Sequence, residues 1–181
     1  DHWAVKIVDR ASVGHEAMMG LGELELTWRR RRDLVADLEA DHHDEATVLR
    51  RIGHHRGVVQ LVDAYESPSS LYLVTELLQG GTLYSRIRSL GNYPEAIAAR
   101  LVKNVLTALD RIHGKGIIHC DLKLENLLLR RRHPQFEGDT SHLSDVVIAD
   151  FGLSQPSPAS SYSGTPHYIA PEVILASFAA E

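Results

Sequence analysis

Residues 119–126 read His-Cys-Asp-Leu-Lys-Leu-Glu-Asn, and the fold turns on this stretch. It sets His119, Asp121, Lys123 and Asn126 between two short apolar pieces, Ile117–Ile118 and Leu127–Leu129. A third apolar piece, Val146–Ala149, delivers Asp150-Phe151-Gly152 at its C-terminal end, which is a rigid mount for a carboxylate. Gly164-Thr165-Pro166 and Ala170-Pro171-Glu172 follow, and far upstream stands Ala4-Val5-Lys6-Ile7. Asp-Phe-Gly alone is a tripeptide that chance supplies freely. Four such motifs in this order and context are a specific signal.

The elements around these motifs follow from period and punctuation. Trp3–Val8 is β-branched and aromatic with one lysine, and reads as a strand. Residues 11–32 are interrupted by glycines and carry the run Arg29–Arg32, which reads as an irregular insertion. Helical spacing at Leu34, Leu38, Leu49 and Ile52 predicts a helix over 33–52, with Gly53 as its stop. Val58–Tyr65 and Leu71–Glu76 predict two strands joined by a turn at Ser67-Pro68-Ser69-Ser70. Gly80-Gly81 breaks the pattern and reads as a hinge. A long amphipathic helix is expected over 94–112, with Ile97, Leu101, Val105, Leu109 and Ile112 on one face, Pro94 opening it and Gly114 closing it. Residues 130–145 read as a basic, then polar, loop, and 154–167 as a Ser- and Pro-rich segment.

One carboxylate stands out on this helical grid. Glu45 lies seven residues after Leu38, four before Leu49 and seven before Ile52, on the stripe expected to be buried. An unpaired charge there is costly, so a cation from another element is the natural partner, and Lys6 is the candidate. Glu39, Asp41 and Asp44 lie off the stripe.

Length and composition bound the rest. The 181 residues suffice for one domain or two small lobes, and 44% hydrophobic with 24% charged residues argues against a disordered chain. Net charge is −5 with histidines neutral, which speaks against a whole-protein nucleic-acid footprint. Cys120 is the single cysteine, so no internal disulfide can form and an intracellular, reducing compartment is expected. No apolar run approaches the ~20 residues needed for a membrane span. The sequence starts without Met inside an expected strand and stops soon after Ala170-Pro171-Glu172, and so reads as part of a longer gene product, truncated at both ends.

Taken together, the motifs resemble the signature set of the eukaryotic protein kinases. Lys123 two residues after Asp121, with GTPHYIAPE later, is similar to the serine/threonine branch, and ELLQGGTLYSRI at 76–87 resembles the calcium/calmodulin-dependent kinase group. The resemblance implies an α+β, two-lobed fold: a small antiparallel β lobe with one helix over 1–75, a hinge at 76–81, and the start of a mainly helical lobe over 82–181. It implies ATP and Mg²⁺ as cofactors and protein substrates as partners, with calmodulin acting through a segment outside these residues. By the same resemblance Lys6 holds the α- and β-phosphates, paired with Glu45. Asp121 handles the substrate hydroxyl, and Lys123 neutralises the γ-phosphate. Asn126 and Asp150 are the metal ligands. Thr75 is the gatekeeper, Glu76 and Leu77 offer backbone groups to adenine, and Ala4 and Leu128 sandwich its ring. Leu153 after Asp-Phe-Gly goes with serine acceptors. Thr82, where relatives carry glutamate, goes with a weak demand for arginine upstream of the acceptor.

The sequence also departs from the family. No glycine-rich phosphate loop precedes Lys6, and Cys120 stands where arginine is usual before the catalytic aspartate. That arginine pairs with an activation-segment phosphate, so its replacement removes a phosphate receptor and not a catalytic group. The alternative reading is an inactive kinase fragment that binds nucleotide or protein. The pairs His42-His43 and His54-His55 read as surface histidines, and Arg29–Arg32 and Arg130–Arg132 as solvated loop charges.

Overall fold

The computed structural model describes residues 2–9, 29–30, 44–67, 70–91, 93–132, 134, 139–157 and 163–178. Its residues group into two compact units, 1–42 with 61–77 and 43–60 with 78–181.

The first unit is an antiparallel sheet in the order β1-β4-β3-β2, formed by β1 (Trp3–Asp9), β2 (Arg29–Arg30), β3 (Leu61–Glu66) and β4 (Ser70–Glu76). Two-residue alternation sorts its faces. Register pairs Ala4 with Thr75, Lys6 with Leu73 and Val8 with Leu71, and Ala64 lies opposite Leu73. Leu71, Leu73 and Ala64 are buried on that face, while Trp3, Val5 and Ile7 are exposed on the other. The expected turn closes through Ser67 N–H to Ser70 O at 2.9 Å and Ser70 N–H to Ser67 Oγ at 3.1 Å.

Two expectations change here. Within 11–32, Arg29 and Arg30 are strand, paired with Glu66 and Tyr65, and not irregular. The strand expected from Val58 starts at Leu61 instead. Val58 makes an isolated parallel bridge to Ile148, with Val59 N–H on Ile148 O and Ile148 N–H on Gly57 O, both at 2.9 Å. An apolar, β-branched start does not reveal which partner strand its first residues choose.

In the second unit α1 (Glu45–Ile52) occupies the C-terminal part of the expected 33–52 helix, and residues 33–43 lie outside the described residues. Asp44 caps it, Oδ1 accepting from Ala46 and Thr47 N–H at 3.1 and 3.2 Å. Its other end is capped from α3 (Glu95–His113), where Arg111 Nε and Nη2 donate to Ile52 O at 3.1 and 2.8 Å. On α3 the buried stripe is Ile97, Leu101, Val105, Ala108 and Ile112, so Ala108 takes the place expected for Leu109. This face packs on β5 (Ile117–Ile118) and β7 (Val146–Ile148). Between lies α2 (Leu83–Leu90), capped by Thr82 Oγ1 on Ser85 N–H at 3.1 Å. The structure thus groups residues 43–60 with the second unit, where the sequence reading divides the chain at residue 75.

Two short ladders mount the motif loops: β5 on β8 (Gln155–Pro156), and β6 (Leu127–Leu129) on β7. The chain joins β6 at Gly80, whose N–H donates to Leu129 O at 2.8 Å. A Cβ there would sit 2.4 Å from that same oxygen, so only glycine fits. The last helix, α4, spans Pro171–Phe178.

Candidate active site

The loop 119–126 leaves β5 and enters β6, so both its ends are fixed by strands. His119 is its buried anchor. Nε2 donates to Ala149 O at 3.0 Å, and Nδ1 accepts Asp121 N–H at 3.3 Å. A carbonyl only accepts and an amide N–H only donates, so this ring is the neutral imidazole with its proton on Nε2. Burial lowers the His119 pKa, against opposing pulls from the Ala149 carbonyl and nearby carboxylates. The ring also packs on Phe151, with centroids 4.7 Å apart.

Asp121 follows, with 6% of its surface exposed. Its carboxylate is fully engaged. Oδ1 accepts Thr165 N–H at 2.9 Å and the Thr165 hydroxyl at 2.5 Å. Oδ2 accepts Lys123 Nζ at 2.7 Å and Asn126 Nδ2 at 3.1 Å. Lys123 Nζ donates in turn to Thr165 Oγ1 at 2.7 Å. Burial pushes the Asp121 pKa up, but the hydrogen bonds from Lys123 and Thr165 and the lysine charge outweigh it and hold the carboxyl below its ordinary value. Lys123 moves the opposite way, its pKa raised first by the hydrogen bond to Asp121.

Thr165 is the residue that sequence reasoning did not single out. Its position depends on Gly164, whose φ is +125° and whose Cβ, if present, would lie 2.5 Å from Cys120 O. The signal was present in Gly164-Thr165-Pro166, a glycine required to pass close to backbone followed by a hydroxyl.

Asn126 spends its amide nitrogen on Asp121 O at 2.9 Å and on Oδ2, and its Oδ1 is a hard oxygen donor. Its backbone carbonyl accepts Ala149 N–H at 2.9 Å, one residue before Asp150. Asp150 is exposed and adopts φ +62°, a left-handed conformation that a non-glycine residue rarely takes. Phe151 beside it is fully buried. The turn closes through Ser154 Oγ on Phe151 O at 2.6 Å. An oxygen-donor pair of this kind suits Mg²⁺. Among the described residues, no group of three or more His, Cys, Asp or Glu is placed to hold a metal.

Glu45, 8% exposed at the start of α1, accepts Phe151 N–H on Oε1 at 3.0 Å. The buried carboxylate therefore reaches the Asp150-Phe151 backbone, a partner that spacing alone could not name. Leu128 pairs with Val147 in β6 and bridges Thr82. Lys6, Ala4, Glu76 and Leu77 belong to the first unit, Lys6 and Ala4 in β1, Glu76 closing β4 and Leu77 just beyond it. The structure thus brings Asp121, Lys123 and Asn126 together with Thr165, and bonds the Asn126 backbone beside Asp150.

The remaining departure, Cys120, adopts φ +64°. Its thiol lies 3.6 Å from Ile118 O, and burial raises its pKa.

Comparison with known proteins agrees with this geometry. The family model described as protein kinase domain matches residues 29–180. The chain is 38% identical over 174 residues to myosin light chain kinase A of Dictyostelium discoideum, covering 90% of this chain and 56% of that protein. It is 42% identical over 137 residues to calcium/calmodulin-dependent protein kinase type I of Schizosaccharomyces pombe, covering 72% and 38%. Human calcium/calmodulin-dependent protein kinase type 1B is 44% identical over 139 residues, covering 75% and 38%. The chain thus spans about half or less of the length of these relatives.

Proposed function

The chain belongs to the protein kinase domain family, and from that membership we propose that the protein transfers the γ-phosphoryl group of ATP to serine and threonine hydroxyls of protein substrates. The observation that carries this reading is the cluster of Asp121, Lys123, Asn126 and Thr165. Phosphoryl transfer needs positioned groups and charge neutralisation more than covalent chemistry. An Asp121 kept ionised by its donors orients the substrate hydroxyl and takes its proton. The hydroxyl oxygen bonds to phosphorus, and the bond from phosphorus to the β,γ-bridging oxygen breaks to release ADP. Lys123 neutralises the transferred group.

Asn126 Oδ1 and the Asp150 carboxylate would hold Mg²⁺, which supplies neutralisation of phosphate charge when bound. In the same reading Lys6 holds the α- and β-phosphates and is positioned by Glu45. Ala4 and Leu128 enclose adenine, and Glu76 and Leu77 meet its edge through their backbones. Residues 1–75, 76–81 and 82–181 serve as small lobe, hinge and large-lobe segment. Leu153 and Thr82 favour serine acceptors with a weak demand for upstream arginine. Two relatives are named as calmodulin-dependent, which supports calmodulin as a partner. A sole cysteine supports intracellular residence.

The test is transfer of labelled phosphate from Mg-ATP to serine and threonine peptides, comparing the wild type with Asp121→Asn. Loss of a positioned base should lower turnover by about 10²–10⁴-fold while nucleotide binding is kept. Near-normal turnover in the variant removes the assignment. Absence of transfer in the wild type, with nucleotide still bound, favours a non-catalytic binding role.

A further inference from the structure

Away from the Asp121 cluster, arginines gather on the second unit. Arg56, Arg130 and Arg131 converge on the carboxylate of Asp145, at 3.3, 4.0 and 3.9 Å. Arg131 also lies 3.7 Å from Asp139 and donates to Ser141 Oγ at 2.8 Å. Arg130 Nη2 donates to Arg56 O at 2.9 Å, and Arg86 Nη2 donates to Arg132 O at 3.0 Å. These contacts engage two buried carboxylates with four guanidinium groups, so arginines outnumber carboxylates among them. The Arg56 side chain is 77% exposed, far beyond what its ion pair requires.

Beside this cluster opens a cavity of about 210 Å³ lined by segments of residues 55–57, α3 and residues 141–146. Its wall carries several side-chain donors. His55 Nδ1 accepts Gly57 N–H at 3.1 Å, which puts the ring N–H on Nε2. Asn104 uses one amide N–H on Ser144 O at 2.8 Å and keeps the other. Ser141 Oγ accepts from Arg131 and retains its own proton to donate. Asp145, the carboxylate in the lining, is already taken by three arginines.

We propose that this cavity and its arginine rim dock an acidic segment of a partner protein, with one anionic side chain entering the cavity and its neighbours lying along Arg130–Arg132 and Arg86. A cavity of this volume admits a single carboxylate or phosphate on a short stem. Nucleic-acid strands bind along extended grooves with aromatic platforms, and among the described residues no Phe, Tyr or Trp lines this site. Anionic membranes meet flat or amphipathic basic faces, whereas this one is concave. The overall charge of −5 disfavours indiscriminate polyanion binding. None of the catalytic-cluster residues lines the cavity, so docking is measurable without any phosphoryl transfer.

The test is fluorescence anisotropy of short labelled peptides against the intact chain at low salt: one rich in Glu and Asp, its Gln/Asn counterpart, and a phosphoserine version. The acidic peptide should bind saturably and its neutral counterpart should not. Arg56→Glu should weaken it at least ~10-fold, and added salt should weaken it further. The tighter of the Glu and phosphoserine peptides identifies the anion. Arg132→Glu changes an exposed residue that accepts from Arg86 through its backbone carbonyl, and should weaken binding without disturbing the fold. Undiminished binding in both variants overturns the proposal. So does single-stranded DNA or a phosphatidylserine vesicle that binds as tightly and loses affinity in the same variants.

Discussion

Replacing Thr165 by valine tests the site where the structure is most explicit. Valine keeps the β-branch and the backbone N–H that Asp121 Oδ1 accepts at 2.9 Å. It removes the hydroxyl that donates to Asp121 at 2.5 Å and accepts from Lys123 at 2.7 Å. A hydrogen bond to a charged group contributes about 1.5–3 kcal/mol, and Thr165 is only half-buried, so the lower part of that range applies. At about 1.4 kcal/mol per decade, turnover should fall roughly 10- to 40-fold. The pH profile supplies the sharper readout. Thr165 is among the groups that hold the Asp121 pKa down. A base is active when ionised, so activity is present above its folded pKa and lost as pH falls through it. With one donor gone, that pKa rises and the acid limb of the turnover profile moves to higher pH. The KM for ATP should change little, and Thr165→Ser should restore both turnover and the limb. The measurement is steady-state transfer to a serine peptide across a pH series. A Thr165→Val protein with unshifted acid limb and turnover within about twofold of the wild type would refute the reasoning.

Three further outcomes follow from the same geometry. His119 is held neutral with its pKa lowered, so the unfolded chain binds its proton first on acidification; the stability it contributes is complete above about pH 6.5 and is lost as pH falls towards the folded value, and urea unfolding from pH 8 to 5 should show a slope that His119→Asn flattens. Gly164→Ala puts a Cβ into Cys120 O and shifts Thr165 off Asp121, which should cut turnover at least ~10-fold while nucleotide affinity, read by calorimetry, stays unchanged. Cys120 lacks the bidentate phosphate contact that arginine makes, so phosphorylating Ser157, Ser160, Ser161 or Ser163 should leave turnover nearly unchanged; a large rise abolished by the matching Ser→Ala change would contradict this.

The candidate site was legible where a motif couples residue type to spacing. Asp121, Lys123 and Asn126 converge because a short loop between two strands leaves little freedom for them to do otherwise. The carboxylate of Glu45 was legible as a buried charge needing a partner, but the Phe151 N–H it meets lies 106 residues away, and no local pattern encodes that distance. Thr165 escaped for the same reason: its role is set by contact with Asp121 and Lys123, more than 40 residues away in sequence, and by the close approach of Gly164 to Cys120 O. Among the elements, α2 went unread although Thr82, Leu83, Ile87 and Leu90 carry a cap and an i, i+4, i+7 stripe, because the preceding glycines drew attention to a break. Val58 and Val59 read as the start of β3 because apolar β-branched residues suit any sheet, and only tertiary pairing assigned them to Ile148.

The bond from Glu45 to Phe151 makes the N-terminus of α1 a sensor of residues 150–151. If α1 slid by one turn, a buried carboxylate and a buried amide would lose each other at once, and a buried polar group that loses its partner is costly. Intermediate positions are therefore expensive, and the pair behaves as a latch that is either engaged or open. Deuterium uptake at the Phe151 amide is the natural gauge of that latch, because its exchange is slow only while Glu45 occupies it. Ligands that favour one position of α1 should slow or speed that single amide without touching it.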